Sequence, residues 1–353
     1  MKSKRLFTSA RTRSRVRTNG MLFVFMASVL WVSPVFSQSA VNGAQVSTAV
    51  AAQSGQGCPA PALPNVNQLA LLRWYGANTV TNVVTGGGPN GIVFDGSSVW
   101  VVNAPLSSVS KVRASDGATL GTFAVGTVPG YAAFDGANIW VTNLGDNTVS
   151  KLRVSDGVTL GTFPTGTSPW GIAFDGANIW VGNILDNTVS KLRPSDGATL
   201  GVFPSGPAPI SLASDGRNIW VTNQNGSDTV TKLRASDGAK LGTFPVGKNP
   251  VGVTFDGSSM WVANFGSNTV TKLRATDGQN TGTFPVGLQP QFIAFDGSNI
   301  WVTNGASNNV TKLRACNGSL LGKFAVGDSP VGIAFDGANV WVNNHNNGTV
   351  SKL

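Results

Sequence analysis

The chain has 353 residues and a formal charge of +9, and charged residues make up only 12% of it. All 16 acidic residues are Asp, glycine contributes 44 residues, and the strand-forming residues Val, Thr, Trp and Phe are common. This composition predicts an all-β fold and excludes a helical bundle or an α/β enzyme. With one His, two Cys and no Glu, few residues are left for a transition-metal site or an acid/base pair.

Residues 1–37 predict a secretory signal peptide. Seven basic side chains precede an apolar run at 21–32, and small residues follow near Ser37. We expect cleavage near Ser37 or Ala40; an uncleaved anchor and initiation at Met21 are the alternatives. Removing these seven of the 25 basic residues leaves 18 against 16 acids, a net charge of +2. The sequence therefore predicts a secreted, periplasmic or cell-surface protein that binds no nucleic acid and, once cleaved, does not insert in a membrane.

Residues 38–77 are rich in Ala, Gln, Ser, Gly and Pro, and this composition predicts a linker. The linker contains Cys58, and the second cysteine of the chain is Cys316. In an exported protein the two could pair and tie the linker to the domain that follows. The sequence leaves both the paired and the unpaired state open, because it gives no distance between them.

From residue 91 onward one unit recurs seven times with steps of 40 or 41 residues. Each copy carries an Asp, usually as Phe-Asp-Gly, then a Trp five residues later and an Asn three residues after the Trp. The Trp residues are Trp100, Trp140, Trp180, Trp220, Trp261, Trp301 and Trp341. A period of about 40 residues in a β-rich chain fits four short strands and their turns, which is one propeller blade. Residues 78–353 therefore predict a seven-bladed β-propeller of four-stranded blades.

The two ends of the repeat region predict how the ring closes. The last copy stops after its third strand, at residues 349–353, whereas residues 79–90 align with a fourth strand and its exit turn. A strand at 79–85 that pairs with 349–353 would complete the last blade and leave no unpaired inner edge.

The repeats Phe-Asp-Gly-x-x-Ile-Trp-Val-x-Asn and Asn-Thr-Val-x-Lys-Leu-Arg resemble the YVTN-type β-propeller repeats of exported and surface-layer proteins. Here Trp-Val-Thr-Asn stands where the name-giving Tyr-Val-Thr-Asn lies. The unit is also similar to the blades of streptogramin B lyases. That second resemblance implies chemistry with a catalytic His, a supporting Glu and a divalent ion, and this chain contains no Glu. Both resemblances imply the fold, while one propeller scaffold hosts many functions.

Residues that recur in every blade are interpreted as structural. The Asp-Gly pairs are typical of tight turns, and the repeated Trp residues are predicted to form the core. The Lys-x-Arg pairs, such as Lys151 and Arg153, are expected to pair locally with Asp at the ring surface and not to form an anion-binding band.

Residues that differ between copies are the candidates for function. They lie in the loops after the second and fourth strands of each blade, on the face opposite the Asp-Gly turns. Tyr131 and Phe292 replace small residues and are expected to narrow the channel mouth as exposed rings. Changing them to the Gly of other copies should preserve folding and weaken binding. The candidate ligand-binding residues are Tyr131, Asp146, Trp170, Asp186, Phe265, Phe292 and His345.

The sequence predicts a monomeric binding or scaffold module for a protein, peptide or glycan. No catalytic residue, metal ligand or cofactor is assigned, because His345 lacks an acidic partner among its neighbours. The alternative is a propeller-type lyase or lactonase in which oxygen ligands at the channel mouth hold Ca²⁺ or Mg²⁺.

Overall fold

The computed structural model of the protein describes residues 83–353, which form 28 strands and one short 3-10 helix, Ala104–Leu106. The predicted signal peptide (1–37), the predicted linker (38–77) and positions 79–82 of the predicted closing strand lie outside the described residues.

The inner strands, first in their blades, are β2 (Pro89–Phe94), β6 (Pro129–Phe134), β10 (Pro169–Phe174), β14 (Pro209–Ser214), β18 (Pro250–Phe255), β22 (Pro290–Phe295) and β26 (Pro330–Phe335). The second strands are β3 (Ser98–Asn103), β7 (Asn138–Asn143), β11 (Ile179–Asn183), β15 (Asn218–Asn223), β19 (Ser259–Asn264), β23 (Asn299–Asn304) and β27 (Val340–Asn344). The third strands are β4 (Ser108–Arg113), β8 (Thr148–Arg153), β12 (Thr188–Leu192), β16 (Thr229–Arg234), β20 (Thr269–Arg274), β24 (Asn309–Arg314) and β28 (Thr349–Lys352). The outer strands are β5 (Thr119–Ala124), β9 (Thr159–Pro164), β13 (Thr199–Pro204), β17 (Lys240–Pro245), β21 (Asn280–Pro285), β25 (Leu320–Ala325) and β1 (Val83–Val84).

These strands form seven four-stranded antiparallel sheets, the blades of a β-propeller. Blades 1 to 6 each use four consecutive strands. Blade 7 combines β26, β27 and β28 with β1 from the start of the described chain, with Val83 opposite Val350 and Val84 opposite Thr349. The predicted seven-bladed fold and the predicted closure by an N-terminal strand are both confirmed.

A buried tryptophan organises each blade. In blade 3, Trp180 on β11 is fully buried, and its indole Nε1–H donates to Asp175 Oδ2 over 2.6 Å. The other carboxylate oxygen of Asp175 accepts the backbone N–H groups of Ala177 and Asn178 in the same turn. All seven blades repeat this Trp-to-Asp bond at 2.6 to 2.8 Å. The Asp therefore shapes the turn and also supplies the acceptor that a buried indole N–H requires.

In five of the six Lys-x-Arg pairs the lysine donates to a backbone carbonyl of the next blade, so it lies between blades and not at the surface, where the sequence analysis expected it. Lys312 is the exception. Lys191 is 7% exposed; its ammonium lies 5.1 Å from the centre of the Trp180 ring and donates to the Ala235 carbonyl of blade 4 over 2.7 Å. The contact with the indole face and the hydrogen bond to the carbonyl together compensate for the desolvation of the lysine ammonium. The arginines behave as predicted, since Arg193 pairs with Asp196 at 2.9 Å on the exposed turn.

Two faces follow from the antiparallel order. The Asp-Gly face carries the turns after the first and third strands of each blade, such as 175–176 and 196–197. The loop face carries the connections after the second and outer strands, such as 184–187 and 205–208. No helix within residues 83–353 has the length and apolar character needed to cross a membrane.

Candidate functional site

Three candidate residues meet at the central axis of the ring. The Tyr131 ring of blade 2 lies 6.2 Å from the Phe292 ring of blade 6 and 5.3 Å from the Trp170 ring of blade 3, measured between ring centres. Blades 2 and 6 are not neighbours, so the Tyr131–Phe292 contact spans the channel. Tyr131 is 1% exposed and Phe292 is fully buried, whereas Trp170 is only partly buried. The rings fill the channel, and the expectation that Tyr131 and Phe292 are exposed at its mouth is wrong.

The local sequence explains why these large side chains are accommodated. The Tyr131 N–H donates to the hydroxyl of Thr142 on the next strand of the blade, and that hydroxyl donates to the Trp170 carbonyl of blade 3. In blade 6, Thr303 makes the corresponding pair of bonds with Phe292 and with the Val331 carbonyl. In these two blades, where a large side chain enters the channel, a threonine hydroxyl therefore bridges the inner strand of its own blade and the inner strand of the next blade.

Blades with glycine at this position have no such space. A Cβ on Gly171 would come within 2.4 Å of the Ile210 carbonyl, and one on Gly252 within 2.7 Å of the Gln291 carbonyl. Around most of the ring, blades with a side chain at this position therefore alternate with blades that have glycine there. Blades 2, 4 and 6 have Tyr131, Ser211 and Phe292, and the other blades have Gly91, Gly171, Gly252 and Gly332.

The channel lining is almost free of charge. Burial raises the pKa of the Tyr131 hydroxyl well above its ordinary value, with a smaller opposing effect from the Trp170 indole. Tyr131 thus stays neutral at physiological pH and acts as a packing residue. The Ser211 hydroxyl and the Gln291 side-chain oxygen are also buried, and neither has a hydrogen-bond partner among residues 83–353. These acceptors are polar points in an otherwise apolar interior.

Asp146 and Asp186 hold loops together. Asp146 Oδ2 accepts the Thr127 N–H over 2.6 Å, and Asp186 Oδ2 accepts the Thr167 N–H over 2.6 Å. Each bond joins the loop after a second strand to the preceding connection between blades. The hydrogen bonds from the Thr127 hydroxyl and backbone lower the pKa of Asp146, so its carboxylate stays ionised. Both side chains are exposed, and their first role is structural.

Phe265 and His345 lie at similar places in blades 5 and 7, directly after the second strand. Phe265 is 9% exposed and packs in the core. His345 is half-buried; burial lowers its pKa, and a hydrogen bond with the Pro89 carbonyl acts in the opposite direction. Its Nδ1 atom is buried and has no hydrogen-bond partner in the part of the chain that the structure describes. A neutral histidine at a blade junction fits this environment, and no ion pair or metal-binding cluster among those residues includes His345.

The loop face carries exposed apolar side chains that the sequence analysis did not single out. Those more than 40% exposed are Leu106, Val128, Leu185 and Leu288. Val128 also has a φ of +48°, which is unusual for a β-branched residue. In blades 3 to 7 an Asn or Asp side chain accepts the N–H of the corresponding residue, as Asn147 accepts from Ser168. Ser107 takes the place of that Asn in blade 1, so Val128 lies in a differently built loop.

The Asp-Gly face has its polar groups engaged in turns and inter-blade bonds. A groove of about 760 Å³ lies there between blades 5 and 6, bordered by Asp256, Lys272, Arg314 and Cys316. Lys272 already donates to the Ala315 carbonyl over 2.7 Å and lies 3.8 Å from Asp256. Across residues 83–353, no group of three or more His, Cys, Asp or Glu side chains is arranged to hold a metal ion.

Comparisons with known proteins support the fold. A hydrazine synthase from Kuenenia stuttgartiensis matches with a TM-score of 0.69 and 20% identity, over 77% of this chain and 97% of that chain. A streptogramin B lyase structure matches with a TM-score of 0.66 and 21% identity, over 77% and 96% of the two chains. No protein-family model matches the chain, and no curated protein matches it. At these identities the two structures are similar to this chain in fold alone.

Proposed function

We propose that the chain is an exported propeller that binds a protein or peptide partner through its loop face. The observation that carries this proposal is the distribution of exposed apolar side chains. Leu106, Val128, Leu185 and Leu288 project from the loops that differ between blades. On the opposite face, the turns after the inner strands are nearly identical in every blade and contain no large exposed apolar side chain among residues 83–353. The turns after the third strands contain one, Val158.

Several features support a binding role over a catalytic one. Trp170 is partly exposed above the filled channel and offers an aromatic anchor on a rigid frame, and such residues often dominate binding energies. Exposed leucines favour a protein or peptide over a glycan, because sugar hydroxyls gain little from aliphatic contact. The similarity of the repeat to YVTN-type propellers and the predicted signal peptide support a location outside the cytoplasm.

The alternative is a propeller-type lyase or lactonase, and its support is the fold similarity to a streptogramin B lyase. Neutral oxygen atoms such as those of Gln291 and Ser211 would have to hold Ca²⁺ or Mg²⁺ without help from a nearby carboxylate. This arrangement makes the enzymatic role the weaker proposal.

The test compares loop-face and outer-strand variants of the mature protein. A partner is first captured with the intact protein from envelope extracts, and its affinity is measured by biolayer interferometry. The triple variant Leu106→Ser, Leu185→Ser, Leu288→Ser should weaken binding at least tenfold, since truncating even one binding hot spot costs about 2 kcal/mol or more and about 1.4 kcal/mol corresponds to a factor of ten.

The matched control is Leu120→Ser, Leu160→Ser, Leu200→Ser, which removes three leucines of similar exposure from outer strands. This control should bind like the parent. Equal loss in both triple variants, or full affinity in the loop-face variant, would mean that the loop face is not the binding surface.

A further inference from the structure

Six of the seven junctions between neighbouring blades share one construction on the Asp-Gly face. A lysine on the third strand donates to a backbone carbonyl in the turn between the third and outer strands of the next blade, over 2.6 to 2.7 Å. The six lysines are Lys111, Lys151, Lys191, Lys232, Lys272 and Lys352. At five of these junctions an outer-strand phenylalanine also packs against the glycine of that same turn, as Phe163 does against Gly197.

The junction between blades 6 and 7 lacks this partner. Lys312 corresponds to the six lysines, but no backbone carbonyl accepts from it within residues 83–353. It lies 3.8 Å from Asp296, as Lys272 lies 3.8 Å from Asp256. Its side chain is 25% exposed, compared with 12% for Lys272. Trp301 beneath it is 8% exposed, while the corresponding tryptophans of the other six blades are fully buried. Phe324, which corresponds to Phe163, is 38% exposed.

The cause is visible in blade 7. Its third strand, β28, and its outer strand, β1, come from opposite ends of the described chain, so the described residues contain no turn that joins them. At the other six junctions a turn lies at the position that corresponds to the surroundings of Phe324 and Lys312. Among residues 83–353 no turn lies there, and both side chains are partly exposed. We name these two residues and Trp301 the blade 6/7 recess. Its floor is aromatic, and its one cation carries an ammonium without a carbonyl acceptor.

The register of β1 identifies the residues that would reach this recess. Val83 lies opposite Val350, as Phe203 lies opposite Val189 in blade 3. In blade 3 the turn occupies residues 193–198, which end five positions before Phe203. Counting back equally from Val83 gives residues 73–78, with the sequence Arg-Trp-Tyr-Gly-Ala-Asn.

This segment has the chemistry that the recess requires. Its Arg73 matches the arginine that begins the turn in blades 1 to 6, and Leu72 before it matches the preceding Leu or Val. Trp74 falls at the position of Pro194, whose carbonyl accepts from Lys151. Trp74 and Tyr75 also offer large apolar rings that could cover Phe324 and Trp301. In two respects the segment differs from the other turns. Gly76 stands where those turns have Asp or Asn. Ala77 stands at the position of Gly197, where a Cβ would meet the Phe163 ring at 2.1 Å, so Ala77 requires Phe324 to lie differently. The observed exposure of Phe324 leaves room for that change.

The disulfide of Cys316 also points to a location near the blade 6/7 recess. Cys316 lies in the turn of blade 6 on the Asp-Gly face and is disulfide-bonded. The only other cysteine of the sequence is Cys58. With Cys58 as the partner of Cys316, a chain that enters the outer edge of blade 7 at Val83 would cross from blade 6 to blade 7 beside the recess.

We propose that residues 73–78 dock in the blade 6/7 recess as the missing turn of blade 7. In this arrangement a backbone carbonyl of the segment accepts from Lys312, and the rings of Trp74 and Tyr75 cover Phe324. The propeller would then begin near residue 72, and not near residue 78 as the sequence analysis predicts. This proposal is independent of the proposed loop-face binding, because it concerns the opposite face.

A photocrosslink tests the contact directly in the full-length mature protein. p-Benzoylphenylalanine is introduced at position 324, where the exposed ring tolerates a larger substituent, and at Leu160 as a control on an outer strand far from the recess. After irradiation, peptide mass spectrometry should locate the crosslink of position 324 within residues 73–78. The control should not crosslink to that segment. Crosslinks from position 324 only to a second copy of the chain, or only to regions outside 73–78, would overturn the proposal.

A second measurement uses the lysine. Acetylation of the native protein should modify Lys312 about as slowly as Lys272. The variant Trp74→Ser, Tyr75→Ser should raise the acetylation rate of Lys312 severalfold and leave that of Lys272 unchanged. A matched variant in the predicted linker, Val66→Ser, Leu69→Ser, should leave both rates unchanged. If Lys312 reacts fast in the parent, or if the Trp74/Tyr75 variant has no effect on it, residues 73–78 do not cover the recess.

Discussion

Replacing Phe292 with alanine is expected to lower the free energy of unfolding by about 3 to 5 kcal/mol, the usual range for a buried phenylalanine. Its ring is fully buried at the axis and lies 6.2 Å from the ring of Tyr131 on the opposite side of the channel. The backbone should tolerate the change, because four other blades have glycine at the corresponding position. The loss therefore measures packing across the channel and not backbone strain.

The contribution of the ring pair can be separated from simple burial. In a double-mutant cycle with Tyr131→Ala, Phe292→Ala should show a coupling of about 0.5 to 1.5 kcal/mol, as found for aromatic pairs. The cycle is suitable because blades 2 and 6 are not neighbours in the ring. A coupling near zero would indicate that the two rings pack independently against their own blades.

The assay is thermal and urea unfolding followed by tryptophan fluorescence. A domain of 150 to 250 residues changes its Tm by about 2 to 4 °C per kcal/mol, so the single variant should melt roughly 6 to 20 °C lower. Leu185→Ala, which truncates a side chain that is 59% exposed, is the control and should melt within about 2 °C of the parent. An unchanged Tm for Phe292→Ala would refute the filled channel and restore the picture of an exposed ring at its mouth.

Two further predictions concern acid stability and ring closure. Burial acts to raise the pKa of Asp336, but hydrogen bonds from the Trp341 indole and nearby groups outweigh it and lower the pKa below 3.8. The stability that this carboxylate contributes is present above pH 3.8 and is lost as the pH falls through the lowered pKa; the difference in urea midpoint between the parent and Asp336→Asn should therefore shrink below pH 3.8. Deleting residues 78–86 removes β1 and should lower the Tm by exposing the edge of β28, and calorimetry that gives the same Tm as the parent would contradict the closure.

The fold was predictable because the same blade-length unit recurs seven times in the sequence. Asp175 and Trp180 recur with a fixed spacing of five residues, and that spacing lets a turn carboxylate meet the indole of the following strand. The hydrogen bond itself was missed, although the constant spacing was its signal. The burial of Lys191 between blades was also missed, because a sequence does not tell which neighbouring blade supplies an acceptor.

The candidate site was less predictable, since it depends on contacts between distant blades. Tyr131 and Phe292 are separated by 161 positions in the sequence, and only the circumference of a closed ring brings them together. As isolated exceptions in a repeat they looked exposed, whereas the closed channel buries them. Asp146 and Asp186 differed from their counterparts in the other blades and looked functional, yet Ser267 makes the corresponding loop bond in blade 5 with a hydroxyl group. A position that varies between copies can therefore belong to a binding site, or it can have the same structural role in every blade with different residues.

The lysine links between blades have a direction. Lys191 of blade 3 reaches forward to blade 4, Lys232 of blade 4 reaches forward to blade 5, and Lys352 of blade 7 reaches forward to Ala114 of blade 1. Every complete repeat thus contains one lysine that can donate to the following blade and one turn carbonyl that can accept from the lysine of the preceding blade. Duplication or loss of a whole repeat would keep donors and acceptors equal in number, whereas a break inside a repeat would separate them. Gene duplication in units of about 40 residues is therefore the route by which such a ring can change its number of blades.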